Sequence, residues 1–354
     1  MATDHNAAED FAALDPDRVL DALAAVGLLG DGRLMALNSY ENRVFLVHLD
    51  RPVPGTDIGT VVAKFYRPGR WSKDQIAEEH AFSLELAAAE VPVVAPLVLD
   101  GQTLHQQGGY AFSVSPYRGG RAPELDDDEV LEWIGRFLAR LHAVGARQPF
   151  VHRPALNLQT FGVEPRNWLL ENDFLPLDVR SAWEKKSALA MELIAAHADI
   201  SRATGQNGSE VAALRQIRLH GDCHPGNILW TPLDAAVSAG PGPHFVDLDD
   251  ARTGVAVQDL WMLVSGERRD RQRQLGMLVD GYEQFRAFDR RELALIEPLR
   301  TLRLIHYSAW LARRWDDPTF RHHFAWFGSS DYWQGQVQML DEQIEAMQEE
   351  PLIV

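Results

Sequence analysis

The chain has 354 residues, 46% of them hydrophobic and 24% charged, which is enough for two lobes that each bury a core. A formal net charge of −17 repels phosphate backbones and anionic lipid, so the composition argues against nucleic-acid and membrane-surface binding. The single cysteine, Cys223, excludes a disulfide framework and a multi-cysteine zinc site, and an acidic N-terminus with no membrane-length apolar run points to the cytoplasm.

In chain order, Asp15-Pro16 ahead of an apolar-periodic run to Gly27 predicts a capped helix, with proline at its first position and glycine past its end. Runs at Leu34–Asn38, Arg43–Leu49 and Thr60–Tyr66 predict three strands. The last two are joined by a Pro/Gly loop from Arg51 to Gly59 and should be antiparallel. Ser72-Lys73-Asp74-Gln75 has capping-box spacing and predicts a helix to about Glu90, stopped by Pro92 and Pro96. Strands near Gln102–His105 and Tyr110–Ser115 complete a small α+β lobe. From Asp126 the texture is helical: Asp126 and Glu129 read as caps of a helix to about Gly145, and Asp289-x-x-Glu292 opens another. The exceptions are a loop at 219–227 and strands at 228–230 and 244–247. Between those strands, the Ala/Gly/Pro-rich Thr231–Pro243 reads as a flexible hairpin loop.

The chemistry concentrates in Leu219-His220-Gly221-Asp222-Cys223-His224-Pro225-Gly226-Asn227-Ile228-Leu229-Trp230 and in His244-Phe245-Val246-Asp247-Leu248-Asp249-Asp250. An Asp, an Asn five residues on, and an Asp ending an apolar strand twenty residues later are what phosphoryl transfer in kinases needs. Asp222 would orient the acceptor hydroxyl and take its proton. Asn227 and Asp247 would offer hard oxygen ligands to Mg2+, which holds the phosphates of ATP. The bland alternative, a polar turn and an ordinary strand end, does not account for His-Gly in front and Pro-Gly inside. His220 and His224 have the four-residue spacing of a metal pair, but Gly221, Pro225 and Gly226 oppose the helix such a pair needs.

The first of these segments resembles the catalytic loop of the aminoglycoside phosphotransferase and choline kinase superfamily, which reads HGDxHxxN. Leu37-Asn38-Ser39-Tyr40-Glu41-Asn42-Arg43, Lys64-Phe65-Tyr66-Arg67-Pro68, Val246-Asp247-Leu248-Asp249-Asp250-Ala251-Arg252 and Gln258-Asp259-Leu260-Trp261-Met262 extend the likeness to the bacterial stress response kinase A family. The resemblance covers nearly the whole chain, with Thr231–Pro243 as an insertion. It implies an α+β, bilobal protein-kinase-like fold: a nucleotide-binding lobe at residues 1–117 with a leading helix, and a mainly helical catalytic and substrate lobe at 118–354. It also implies a cytoplasmic serine/threonine protein kinase that autophosphorylates and serves survival of envelope or oxidative stress, and an ATP contact at Ser39.

The remaining parts follow from that frame. Lys64, one of four lysines, lies in the apolar run Val61-Val62-Ala63-Lys64-Phe65, where a nucleotide-phosphate lysine belongs; the alternative is an edge lysine facing water. Its carboxylate partner should lie on the next helix, at Glu79, which shares a face with Phe82 and Leu86, or one position away at Glu78. No glycine-rich phosphate loop is present, since Gly30-Asp31-Gly32 fails at Met35; the turn Asn38–Asn42 can present backbone N–H groups and the Ser39 hydroxyl instead, or is a plain polar hairpin. Asp259 suits either a helix cap or an anchor for the catalytic-loop backbone, and Asp249, a second metal neighbour or a structural acid, is left outside the core site. Adenine should dock near Ser113–Tyr117. Glu124–Glu129 reads as acids at a helix start. The metal Asp is followed by Leu-Asp-Asp, which departs from the activation segment of eukaryotic kinases. A monomer acting on a protein is expected. A small-molecule kinase acting on an aminoglycoside, choline-like or homoserine-like alcohol, and a pseudokinase, are the competing readings; Trp310, Arg313, Arg314, Trp315, Tyr332 and Trp333 hint at a pocket wall without naming an acceptor.

Overall fold

The computed structural model describes residues 11, 14–200, 213–232 and 240–354. The chain divides into two compact units: Met1–Pro123 with Gly226–Asp249, and Glu124–Pro225 with Asp250–Val354.

The first unit opens with α1 (Pro16–Ala25), where the Asp15 side chain accepts from the Arg18 N–H and caps the orphan donors of the first turn. Five strands follow: β1 (Gly30–Ala36), β2 (Arg43–Leu49), β3 (Thr60–Phe65), β4 (His105–Gln107) and β5 (Tyr110–Pro116). They form one antiparallel sheet in the order β1-β2-β3-β5-β4. Between β3 and β4 runs α2 (Lys73–Ala88), opened by the expected capping box, with Ser72 and Gln75 each satisfying the other's backbone N–H. Val47, Val61, Phe65, Phe112 and Val114 are fully buried at the heart of this unit. Each such side chain contributes about 1.5–3 kcal/mol by leaving water.

The second unit begins with α3 (Asp128–Gly145). Its cap is Asp127, one position after the expected Asp126, and Asp127 accepts from the Glu129 N–H. A π-helical turn at Gln159–Val163 leads into α4 (Glu164–Glu171), and α5 (Leu177–Ile200) follows. After β6 (Ile217–Leu219) the chain returns to the first unit as a hairpin, β7 (Ile228–Thr231) with β8 (Gly242–Phe245). Residues 233–239 of the expected hairpin loop lie outside the described residues. Arg118 braces the hairpin, donating to Thr231 Oγ1 at 3.4 Å and to the Gly240 carbonyl at 2.9 Å.

The second unit resumes with β9 (Arg252–Gly254), which pairs antiparallel with β6, and then is helical: α6 (Val257–Trp261), α7 (Arg268–Glu283), a 3-10 turn at Arg290–Leu295, α8 (Ile296–Ala312), α9 (Pro318–His323) and α10 (Ser330–Ala346). α3 and α7 pack backbone to backbone. A Cβ on Gly135 of α3 would stand 2.0 Å from the Leu278 carbonyl oxygen of α7, so the approach needs glycine there. None of the described helices is long and apolar enough to cross a membrane.

Candidate active site

Side chains alternate along a strand, so the register that buries Ala63 and Phe65 turns Lys64 to the opposite face of β3. There its Nζ donates to Asp247 Oδ1 at 2.7 Å and lies 3.3 Å from Asp249 Oδ1. The Tyr66 ring stands 5.4 Å from Nζ, and its hydroxyl is held between His80 Nε2 at 2.7 Å and Ser113 Oγ at 2.9 Å. Burial alone would push the Lys64 amine down, but the carboxylates of Asp247 and Asp249, with Tyr66 and Glu79 behind them, hold it well above the ordinary lysine value. Lys64 is therefore a fixed cation.

Asp247 sits at the far end of the hairpin. β8 stops at Phe245, two residues before the expected strand end, because Asp247 adopts φ 58°, a left-handed conformation that a pleated strand cannot continue. Such strain at a non-glycine residue costs about 1 kcal/mol or more and concentrates at functional sites. The Val246 N–H still donates to the Asn227 carbonyl at 3.0 Å, so Asn227 and Asp247 flank the last rung of the hairpin. An amide oxygen and an exposed carboxylate, with substrate phosphates to complete the shell, fit the hard octahedral demand of Mg2+. Among the described residues no group of three His, Cys, Asp or Glu side chains forms a metal cage.

Asp249, whose role the sequence leaves open, lies beside Lys64 as well. It is buried, and its Oδ2 accepts from Asn42 Nδ2 at 3.2 Å and pairs with Arg70. Asn42 Oδ1 in turn accepts from the Arg67 N–H at 3.1 Å, and Arg67 Nε donates to the Glu41 carbonyl at 3.0 Å. These bonds tie the turn between β1 and β2 to the segment after β3. Ser39 lies on that turn, half-buried, its hydroxyl donating to the Asn42 carbonyl at 3.2 Å. Glu79 is buried, as its shared face with Phe82 and Leu86 requires, while Glu78 is half-buried. The short ion pairs of Lys64 run to Asp247 and Asp249; Glu79 accepts from Ser83 Oγ at 3.2 Å and acts on the lysine through its field. Of the segment expected to read adenine, Ser113–Pro116 lies within β5, and the Tyr117 N–H donates to the Thr60 carbonyl at 3.0 Å.

The second unit carries Asp222. Its loop leaves β6 under the control of Asp259, which is fully buried in the first turn of α6. Asp259 Oδ2 accepts from the His220 N–H at 2.8 Å and Oδ1 from the Gly221 N–H at 2.9 Å, while His142 Nε2 lies 3.0 Å from Oδ2. Between the cap and anchor readings, the geometry selects the anchor. Burial works to raise the Asp259 pKa, but the His142 bond, the neighbouring histidines and the loop N–H groups hold it below the usual value. His142 is lowered by its own burial, so it is neutral; it donates to Asp259 and receives the Tyr282 hydroxyl proton on Nδ1, at 3.0 Å. Gln258 adds a bond from Nε2 to the Gly221 carbonyl at 3.2 Å. Gly221 itself has φ 84°, and a Cβ there would stand 2.2 Å from the Asp250 carbonyl oxygen.

Held this way, Asp222 places Oδ1 2.6 Å from Arg303 NH1, and Oδ2 3.6 Å from His224 Nε2. Arg303, on α8, was not legible in the sequence, because nothing in local spacing links residues 81 positions apart. In the same unit, Arg252 bonds the Asp250 carbonyl and carboxylate and stacks over Phe161, which itself stacks with His306 at 4.0 Å between ring centroids. Arg70 and Asn42 were missed for the same reason as Arg303, although Asn42 stands inside one of the strings that carried the resemblance.

Comparison with known proteins matches the profile described as "Phosphotransferase enzyme family" to residues 34–296. Stress response kinase A of Escherichia coli (strain K12) is 44% identical over 348 residues, 98% of each chain. Serine/threonine protein kinase RdoA of Salmonella typhimurium (strain LT2) is 42% identical over 342 residues, 97% of this chain and 96% of that one. Among solved structures, amicoumacin kinase hAmiN in complex with AMP-PNP, Ca2+ and Ami has a TM-score of 0.68 at 17% identity, over 97% and 96% of the two chains. A microcompartment-associated aminopropanol kinase has a TM-score of 0.66 at 17% identity, over 93% and 98%. These structural likenesses bear out the kinase-like α+β fold expected from the sequence.

Proposed function

Because the chain belongs to the phosphotransferase enzyme family, we propose that it transfers the terminal phosphoryl group of ATP to a serine or threonine hydroxyl of a protein, itself included, in a cytoplasmic stress response. The observation that carries this reading is the 2.7 Å ion pair of Lys64 with Asp247. It joins residues 183 positions apart into the charged pair that a phosphate-binding lysine and a metal-binding aspartate require. The protein acceptor is supported by the serine/threonine kinase naming of a relative 42% identical over nearly the whole chain.

In this reading the acceptor oxygen attacks the terminal phosphorus as the bond to the bridging oxygen breaks and ADP leaves. Asp222 accepts the hydroxyl proton. Lys64 binds phosphate oxygens, kept charged by Asp247 and Asp249 with Tyr66 and Glu79 behind them, and the Ser39 turn lies against the phosphates. Asn227 and Asp247 would hold Mg2+, which when bound neutralises charge on the nucleotide phosphates. Asp259 keeps the main chain under Asp222 in place.

The test is purified protein with Mg2+ and γ-labelled ATP, beside Asp222→Asn and Asp247→Asn. Label on serine or threonine of the wild-type protein and of a generic protein acceptor, absent from both variants, is expected. Transfer to a small alcohol with no label in any protein would replace the protein acceptor with a small-molecule one. Labelling by Asp222→Asn at the wild-type rate would remove the reading.

A further inference from the structure

We propose that Arg303 is a positioning residue for the phosphoryl acceptor: it locks the carboxylate of Asp222 in the orientation that receives the hydroxyl proton. The inference rests on the reading of Asp222 given above and adds a residue to it.

Asp222 is held through its main chain and through its side chain. In the main chain, Asp259 fixes the N–H groups of His220 and Gly221, and the His224 N–H donates to the Asp222 carbonyl at 2.9 Å. These bonds place the Cα; the two side-chain torsions of Asp222 are set by contacts of the side chain itself. Arg303 makes one such contact. Its NH1 donates to Oδ1 at 2.6 Å, the length of a charge-assisted bond. It reaches Asp222 from α8, a helix of 17 residues that buries Leu299, Leu302 and Ile305 on the turns around it. The guanidinium is therefore delivered from a rigid element.

A carboxylate with one oxygen clamped from a fixed direction has its second oxygen fixed as well. Oδ2 here faces His224 at 3.6 Å, longer than a hydrogen bond. Among the described residues, Asp222 is the one polar partner of Arg303, which keeps about a third of its side-chain surface exposed, at 35%. A guanidinium has five N–H donors, so a single bond to Asp222 does not use all of them. Arg303 thus orients the base and adds positive charge beside the position where the acceptor oxygen binds. Lysine would supply the charge without the planar fork, and glutamine a donor without the charge.

The experiment compares Arg303→Lys, Arg303→Gln and Arg303→Ala with Asp222→Asn in labelled-ATP transfer, alongside nucleotide affinity and urea unfolding. Misplacing a reacting group by about 1 Å costs on the order of 100-fold, so Arg303→Ala should lose about 10- to 100-fold in kcat. The KM for ATP and the nucleotide Kd should stay within about twofold of wild type, and Arg303→Lys should keep more activity than Arg303→Gln. Guanidinium chloride in the low tens of millimolar, far below denaturing levels, should restore part of the Arg303→Ala rate and none of the Asp222→Asn rate. A kcat within about twofold of wild type in Arg303→Ala, or a loss shared equally by nucleotide affinity and the urea midpoint, would overturn the inference. If Arg303→Ala does not fold, Arg303→Lys and Arg303→Gln decide: equal kcat at equal stability overturns it as well. Wild-type transfer by Asp222→Asn would instead remove the proposed function, and the two failures are read in different variants.

Discussion

Asp259 is a fully buried carboxylate that accepts from three donors, His142 Nε2 and the N–H groups of His220 and Gly221. An asparagine there has one acceptor oxygen and an NH2 group that must face a donor. Asp259→Asn should therefore cost about 2–4 kcal/mol, read as a fall in the urea midpoint at unchanged slope. A midpoint equal to wild type would mean that the three bonds contribute nothing net. Gly221→Ala tests the same loop sterically, since its Cβ would meet the Asp250 carbonyl oxygen at 2.2 Å. Transfer activity should fall at least about tenfold, while a wild-type rate would show that the loop relaxes without moving Asp222. At this scale the sequence is most explicit where chemistry and spacing coincide, as in Asp222, Asn227 and Asp247. It is silent where a bond joins distant positions. Arg303 with Asp222, and Arg70 with Asp249, are ordinary arginines on ordinary helices or turns until the fold brings them to a carboxylate.

Among the elements, α6 is short for the weight it carries. Its five residues include both Gln258 and Asp259, and its Val257 N–H is held by Glu292 Oε2 at 2.8 Å. The sequence reads Asp289-x-x-Glu292 as the opening of a helix. Asp289 does cap the 3-10 turn that precedes α8, but Glu292 turns inward to α6 instead. Burial first, and then the Asp289 charge, raise the Glu292 pKa to about 7, against the opposing pull of the Val257 N–H and Arg286. Its folded value thus lies above the ordinary 4.5 expected of the unfolded chain. The group's contribution to stability is complete below about pH 4.5 and is lost as pH rises through 7. Between pH 5 and pH 8 the wild-type chain should lose on the order of 3 kcal/mol from this group alone. Glu292→Gln keeps an acceptor for Val257 and removes the titration, so the difference between the two urea-stability curves should grow across that interval. Parallel curves would place the wild-type carboxyl in an ordinary, solvated environment. Element boundaries were legible where a cap announced them, as at Asp15 and Ser72. They slipped where the determinant was tertiary: α3 starts from Asp127 within a run of acids, and β8 ends where Asp247 turns left-handed.

Across the whole molecule, the chain passes from the first unit to the second after Pro123, returns at Gly226 and leaves again at Asp250. Lys64, Asn227 and Asp247 thus belong to the first unit and Asp222 to the second, although Asp222 and Asn227 are only five residues apart. The roles proposed for these residues separate nucleotide holding from proton acceptance, and ligand-induced stabilisation tells the two apart. A ligand that binds only the folded state stabilises it by RT ln(1 + [L]/Kd), about 2.7 kcal/mol at a hundredfold excess over Kd. For a chain of this size that corresponds to a rise of roughly 2–4 °C in Tm. ATP with Mg2+ should raise the wild-type Tm by that amount. ATP alone should do much less, because a chain of net charge −17 repels an uncompensated polyanion. Asp247→Asn should abolish the metal-dependent part of the rise. Asp222→Asn should keep it in full while losing transfer, since the role proposed for its carboxylate is to take a proton and not to hold phosphate. If Asp222→Asn lost the shift as completely as Asp247→Asn, Asp222 would have to be reassigned to metal binding. If wild type showed no shift at millimolar ATP and Mg2+, the nucleotide site assigned to Lys64, Asn227 and Asp247 would fall.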